Sequence, residues 1–245
     1  MSKIAYSSDK KIRTITAVGV FAALAFILTF FFRFRLAFLT FDLKDAVMTV
    51  AAMLFGPLYG LAIAILVPLL EMVISSTGLY GFVMNMLASV TFVCVGSFIY
   101  TRNRTMTGAL MGMFSSVLTM VGVMTVANLL ITPGYLELMA ASMIPEGMTA
   151  RQFVGSLLPT MIMPFNTAKG FFNASLVFLL YKPVSGAVKR AGFDYVTGMN
   201  ETGNKDGHRY NRRTGTIVTV CAVIAAVGTL LYFFLVLRGS FSAVG

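Results

Sequence analysis

Asn166, Lys169 and Asn173 follow one another at steps of three and four residues, the first two within "PFNTAKG", in a stretch otherwise built from Leu, Val, Phe and Met. On a helix such spacing puts all three on one face. Two amides and an ammonium in a row can donate to carbonyls and ring nitrogens and accept from hydroxyls, which is the chemistry of ligand recognition rather than of bond breaking. The other ionisable group deep in apolar sequence is Glu71, and Asn128 and Asn85 add further amides. A charged side chain in a membrane span costs a few kcal/mol on insertion scales, so each of these is a candidate for function.

Catalytic machinery is not visible. His208 is the one histidine and lies in a hydrophilic stretch, so sites built on paired histidines are excluded. There is no G-x-S-x-G elbow and no G-x-x-x-x-G-K-[ST] loop, so this chain does not hydrolyse ATP by itself. Cys94 and Cys221 fall in separate apolar runs and read as free thiols. No catalytic residue, metal ligand or cofactor is expected.

The elements that must position the polar stripe are membrane helices. Of 245 residues 58% are hydrophobic and 11% charged, against roughly 25% charged in a soluble domain. Apolar runs at about 14–32, 79–100, 106–131, 153–181 and 215–237 approach the ~20 residues a helix needs to cross a bilayer. The basic run before the first has no cleavage site after it, so the first span is retained rather than removed as a signal peptide. The formal charge of +10 gathers at the N-terminus and in residues 182–213, flanking spans, which fits a membrane edge facing cytoplasmic lipid and not nucleic acid.

Residues 43–74 are apolar for too long to cross once comfortably and carry "FGPLYG" near the middle, where Gly-Pro signals a turn. If the turn is real and the N-terminus inside, thirteen basic residues lie inside and five outside; a single span would leave six inside and twelve outside. The positive-inside rule therefore selects two short helices and seven spans. Glu71 and Lys169 then lie at similar depth toward the outer face, as do Asn128 and Asn85. Residues 33–46, with Arg33, Arg35, Asp42, Lys44 and Asp45, form an outer loop, and residues 132–151 another. Pro159 and Pro164 are expected to break or kink the start of the sixth span, freeing backbone donors for acceptor-rich ligand groups.

Glu71 and Lys169 could equally pair with each other, and asparagines often join helices in bundles. Asn85 alone fits that packing role. The convergence of Asn166 and Lys169 on one face below an outer loop favours a ligand.

Three segments in order resemble the substrate-binding (S) components of energy-coupling factor (ECF) vitamin transporters, the riboflavin-specific branch in particular: "FLTFDLKDAVMTVAAMLFGPLYGLAIAIL", "ANLLITPGY" and "LLPTMIMPFNTAKGFFNASLVFLLYKPV". The resemblance covers about residues 10–185. It implies an all-α integral membrane protein with a six-helix bundle, no enzymatic activity, and capture of riboflavin at the outer face of the bacterial plasma membrane. By the resemblance Asn166, Lys169 and Asn128 would hydrogen-bond the ligand, with Asn173, Glu71, Asn85 and Tyr135 beside them. Leu39, Thr40, Phe41 and Asp42 would close over it. The partners implied are a transmembrane T component, met through small residues of the first helix at Gly19, Ala22 and Ala23, and two cytoplasmic ATPases whose hydrolysis reorients the S component.

The expected organisation is a cytoplasmic N-terminus (1–13), the six-helix domain (14–182), a cytoplasmic linker (183–213), one additional C-terminal transmembrane helix (214–238) and an outer C-terminus (239–245). That seventh span departs from the family pattern. So do Arg33 and Arg35, which leave room for an anionic flavin; another vitamin, or a membrane scaffold whose stripe only packs helices, are the competing readings.

Overall fold

A computed structural model describes residues 2–31, 33–36, 39–75, 77–193, 212–236 and 240–241. The helices are α1 (Ser2–Phe31), α2 (Lys44–Phe55), α3 (Pro57–Met72), α4 (Gly78–Arg102), α5 (Met106–Met139), α6 (Ala150–Leu157), α7 (Met163–Arg190) and α8 (Arg212–Leu235). Three short strands, β1 (Arg33–Leu36), β2 (Leu39–Asp42) and β3 (Ser240–Phe241), form a sheet in the order β2-β1-β3. Among the described residues five helical stretches are long and apolar enough to cross a membrane, with α6 and α7 joined as the fourth of them.

The turn at "FGPLYG" is real. Gly56 ends α2 at φ 111°, a left-handed conformation that favours glycine, and Pro57 opens α3. At twelve and sixteen residues these helices rise only ~18 and ~24 Å, short of the ~30 Å hydrocarbon core. They fold back on each other so closely that a Cβ on Gly60 would sit 2.3 Å from that of Ala52; in one straight helix those residues would be ~12 Å apart. Gly60→Ala is therefore expected to destabilise the bundle by about 1–3 kcal/mol, measured as a lower Tm in detergent. An unchanged Tm would mean that the hairpin relaxes freely.

Residues 158–162 differ from expectation. The two prolines do not break the sixth span. Instead a π turn (Leu158–Ile162) joins α6 to α7, with the Met163 N–H bonded to the Leu158 carbonyl five residues back. A π turn of this kind lets a helix continue past a local irregularity. No new helix N-terminus is created there, so backbone donors are not freed for an anion. Likewise α5 runs through Pro133 to Met139, and part of the expected outer loop 132–151 is helix. Helix α7 continues past Pro183 to Arg190, so the first residues assigned to the linker are helical; residues 194–211, with His208, lie outside the described residues.

Side chains of α2, α4, α5 and α7 interleave in the central core around Val50, Phe92, Met113, Met120 and Val177. A second cluster, of α1, α2 and α3 with Val93 of α4, includes Ala22 and Ala25. Ala22 is thus consumed by packing within the chain and is closed to a partner helix, whereas Gly19 and Ala23 are exposed on α1. A third cluster lies beneath the β-hairpin and draws on β2, α5, α6, α7 and α8.

Candidate ligand-binding site

Residues 33–46, expected as an outer loop, hold a hairpin that leads into α2. β1 and β2 pair antiparallel, with Phe34 opposite Phe41 and Arg35 opposite Thr40. Alternation along a strand sends Leu39 and Phe41 to the same side, and both are buried. The Phe41 ring lies 5.0 Å from Phe172 and 6.1 Å from Phe165 between ring centroids, both rings on α7. The hairpin therefore covers this end of α7, with Phe41 as an aromatic plug. The side chains of Arg33 and Arg35 lie outside the described residues.

Directly beneath the hairpin the stripe of α7 faces inward. Asn166, Lys169 and Asn173 are 3%, 3% and 1% exposed. Lys169 Nζ donates to the Thr40 carbonyl at 3.3 Å and to Asp42 Oδ2 at 3.1 Å, and lies 3.7 Å from Asp45 Oδ2. Asn173 Oδ1 accepts from the Ala46 N–H at 3.0 Å, while its Nδ2 donates to the Asp42 carbonyl. No side chain of α2's own N-cap, Leu43, serves that helix start, so an amide from α7 satisfies one of its orphan donors. Asn166 donates only along its own helix, to the Ile162 carbonyl at 2.8 Å.

Lys169 and Glu71, which could have paired with each other, take different partners. Glu71 is bonded to Lys44, and Asn85 reaches the same carboxylate at 3.4 Å, which supports the packing role for Asn85. Asp42, Lys44 and Asp45, whose polarity placed the loop outside the lipid, are each 1% exposed. Asp45 in the first turn of α2 accepts from Ser89 of α4 at 2.6 Å, where a carboxylate also suits the helix dipole. Three carboxylates and two ammonium groups thus share one interior, a network in which each charge depends on the others for its solvation.

Asn128 on α5 is fully buried. Its Nδ2 donates to the Met124 carbonyl, and its Oδ1 accepts from Thr132 at 2.9 Å. Thr132 in turn meets the Tyr80 hydroxyl at 2.9 Å, and the Tyr80 ring stacks on Tyr135 at 4.0 Å and 12°. Helix α5 crosses α7 where Gly170 approaches Val117 and Met120, so Asn128 stands toward the hairpin end of that crossing. Sequence reasoning missed Lys44, Asp45, Ser89, Tyr80 and Thr132. For Thr132 a signal existed, four residues from Asn128 on the same helical face. The donor set suits a largely neutral, acceptor-rich organic ligand with flat rings, and among the described residues no group of His, Cys, Asp or Glu is arranged to hold a metal ion.

A model of the family described as "ECF transporter, substrate-specific component" matches residues 13–185, from α1 through most of α7. This chain belongs to that family. Two curated proteins are similar to this S component over nearly all of their own length. "Riboflavin transporter RibU" of Staphylococcus aureus (strain TCH60) is 26% identical over 193 residues, 77% of this chain and 97% of that protein. "Riboflavin transporter FmnP" of Bacillus subtilis (strain 168) is 25% identical over 183 residues, 71% of this chain and 94% of that protein. A solved structure of the S component of a bacterial ECF transporter has the same fold, with a TM-score of 0.60 at 24% identity over 74% of this chain and 99% of that one. This S component is accordingly an all-α integral membrane protein and a transporter subunit. Helix α8 lies beyond the matched residues.

Proposed function

We propose that this S component captures riboflavin at the outer face of the bacterial membrane with high affinity. The observation that carries this reading is the enclosure of the Asn166–Lys169–Asn173 face beneath Leu39, Thr40, Phe41 and Asp42. A small-molecule receptor needs its orienting polar groups few, convergent and out of water. Hydrogen bonds to the lid engage two of the three Lys169 donors, which leaves one for a ligand carbonyl. Asn128 and Asn166, bonded within their own helices, keep acceptor and donor capacity for ring and ribityl groups. The stacked Tyr80 and Tyr135 supply an aromatic wall of the kind a flat ring packs against. The names of the two relatives point to the same ligand.

In this reading the chain hydrolyses nothing. A T component and two cytoplasmic ATPases act on it, the exposed Gly19 and Ala23 of α1 offering a surface for close helix approach, and ATP hydrolysis reorients the S component to deliver the vitamin. The N-terminus faces the cytoplasm, and the hairpin and C-terminus face outward, in keeping with the distribution of basic residues.

Protein purified from cells is expected to be yellow with a flavin absorption spectrum, and riboflavin fluorescence is expected to be quenched on titration with the ligand-stripped protein. A colourless protein that quenches neither riboflavin nor FMN would overturn the reading; preference for FMN would assign Arg33 and Arg35 to a phosphate.

A further inference from the structure

Helix α8 was expected as an added span of unknown role. Its buried positions Ala222, Ala226 and Phe233 fall on one face, at steps of four and seven, and that face lies along α7. The two alanines allow close approach of the helices, the usual device where both are apolar. The opposite face, with Ile217, Val220, Ile224, Val227 and Leu231, is exposed and suits lipid.

At its far end α8 does something a membrane anchor does not require. Phe233 is fully buried, its ring centroid 5.0 Å from that of Phe41 and 6.1 Å from that of Phe165. Phe41 is the plug of the lid, so it is gripped by α7 on one side and α8 on the other. Beyond α8 the chain returns as β3 and pairs antiparallel with β1, Phe241 opposite Phe34 and Ser240 opposite Arg35. The outer edge of the hairpin, which would otherwise present unpaired backbone groups, is thereby extended by the C-terminus. Two independent contacts, one of side chains and one of backbone, tie the same ten-residue lid to a helix outside the family match.

We infer that α8 and β3 are a strap that holds the lid shut, with Phe233 as the positioning residue that acts on the ligand site through Phe41. Opening the hairpin then requires breaking the Phe41–Phe233 contact and the β1–β3 ladder together. The consequence for exchange rests on the flavin reading; the consequence for the lid does not. The strap slows both entry and escape of the ligand and leaves its polar contacts unchanged.

The test uses full-length protein in detergent carrying Phe233→Ala, Phe233→Leu or Ser240→Pro, the last removing the backbone donor that the register places opposite Arg35. Hydrogen exchange of hairpin amides 33–42, measured without ligand, is expected to quicken about tenfold in Phe233→Ala and in Ser240→Pro. Phe233→Leu should restore much of the protection, and α4 and α5 amides should exchange as before. Riboflavin dissociation, followed by recovery of its fluorescence, should quicken by a similar factor. Unchanged hairpin exchange in both disrupting variants would overturn the strap. Faster exchange with an unchanged flavin off-rate would overturn its control of the ligand. Absence of flavin binding in the unmutated protein would sink the flavin reading alone, because hairpin exchange still decides whether the strap exists.

Discussion

Lys169→Met is expected to weaken flavin binding by well over tenfold and to lower the Tm at the same time. A charge-assisted hydrogen bond to a neutral acceptor is worth roughly 1.5–3 kcal/mol, or about ten- to a hundredfold in affinity. The same ammonium, however, holds Asp42 and Thr40 of the lid and faces Asp45. Its removal leaves two buried carboxylates with a cation lost, so affinity could fall through the lid and not through the ligand. The discriminating protein is Lys169→Met with Asp42→Asn, which removes one charge of each sign. It is expected to recover most of the Tm and little of the affinity. Recovery of both, measured by thermal unfolding and fluorescence titration, would mean that Lys169 only braces the lid. Asn166→Ala offers a second view of the same question. Asn166 bonds only within its own helix, so affinity should drop about tenfold with the Tm nearly unmoved.

Lys44→Met should have the largest effect on stability. Lys44 is bonded to Glu71 and stands 3.6 Å from Asp42, all at 1–2% side-chain exposure. Breaking a buried ion pair by removing one partner costs about 3–5 kcal/mol, because the other charge stays desolvated and uncompensated. Removing both is often near neutral. Lys44→Met with Glu71→Gln is therefore expected to melt close to the unmutated protein, and Lys44→Met alone far below it; Gln keeps an acceptor for Asn85. A single variant that melts within a few degrees of the parent would show that water or a proton relieves the network. The flavin site should feel the double change only weakly, since Lys169 keeps both of its lid acceptors.

These two experiments differ in how far the sequence anticipates them. The Asn166–Lys169–Asn173 face is legible at once, because helical spacing in an apolar run fixes which residues share a side whatever the helix packs against. The burial of Asp42, Lys44 and Asp45 is not. A cluster of charges at the start of an apolar stretch reads locally as a wetted loop, and its solvation inside the bundle depends on Lys169, 127 residues from Asp42, and on Glu71, 27 residues from Lys44. Pro159, Pro164 and Pro133 mislead for a related reason. Proline's local effect is to delete a hydrogen bond, but neighbouring helices and a wider turn can absorb the loss in a bundle.

The sequence by itself determined the membrane class, the seven-helix count through the Gly56–Pro57 turn and the basic-residue bias, the additional C-terminal helix, and the polar face of α7. Each of these follows from composition or from spacing within a single element. Tertiary structure alone decided that the outer loop is a β-hairpin, that Lys169 answers to Asp42 and Asp45 while Glu71 answers to Lys44, and that Phe233 closes on Phe41. The physical reason is the same in all three cases. Hydrophobic periodicity is a property of one helix, whereas the pairing of a buried charge or the closing of a ring cluster is a property of chain segments that meet only when the bundle has formed.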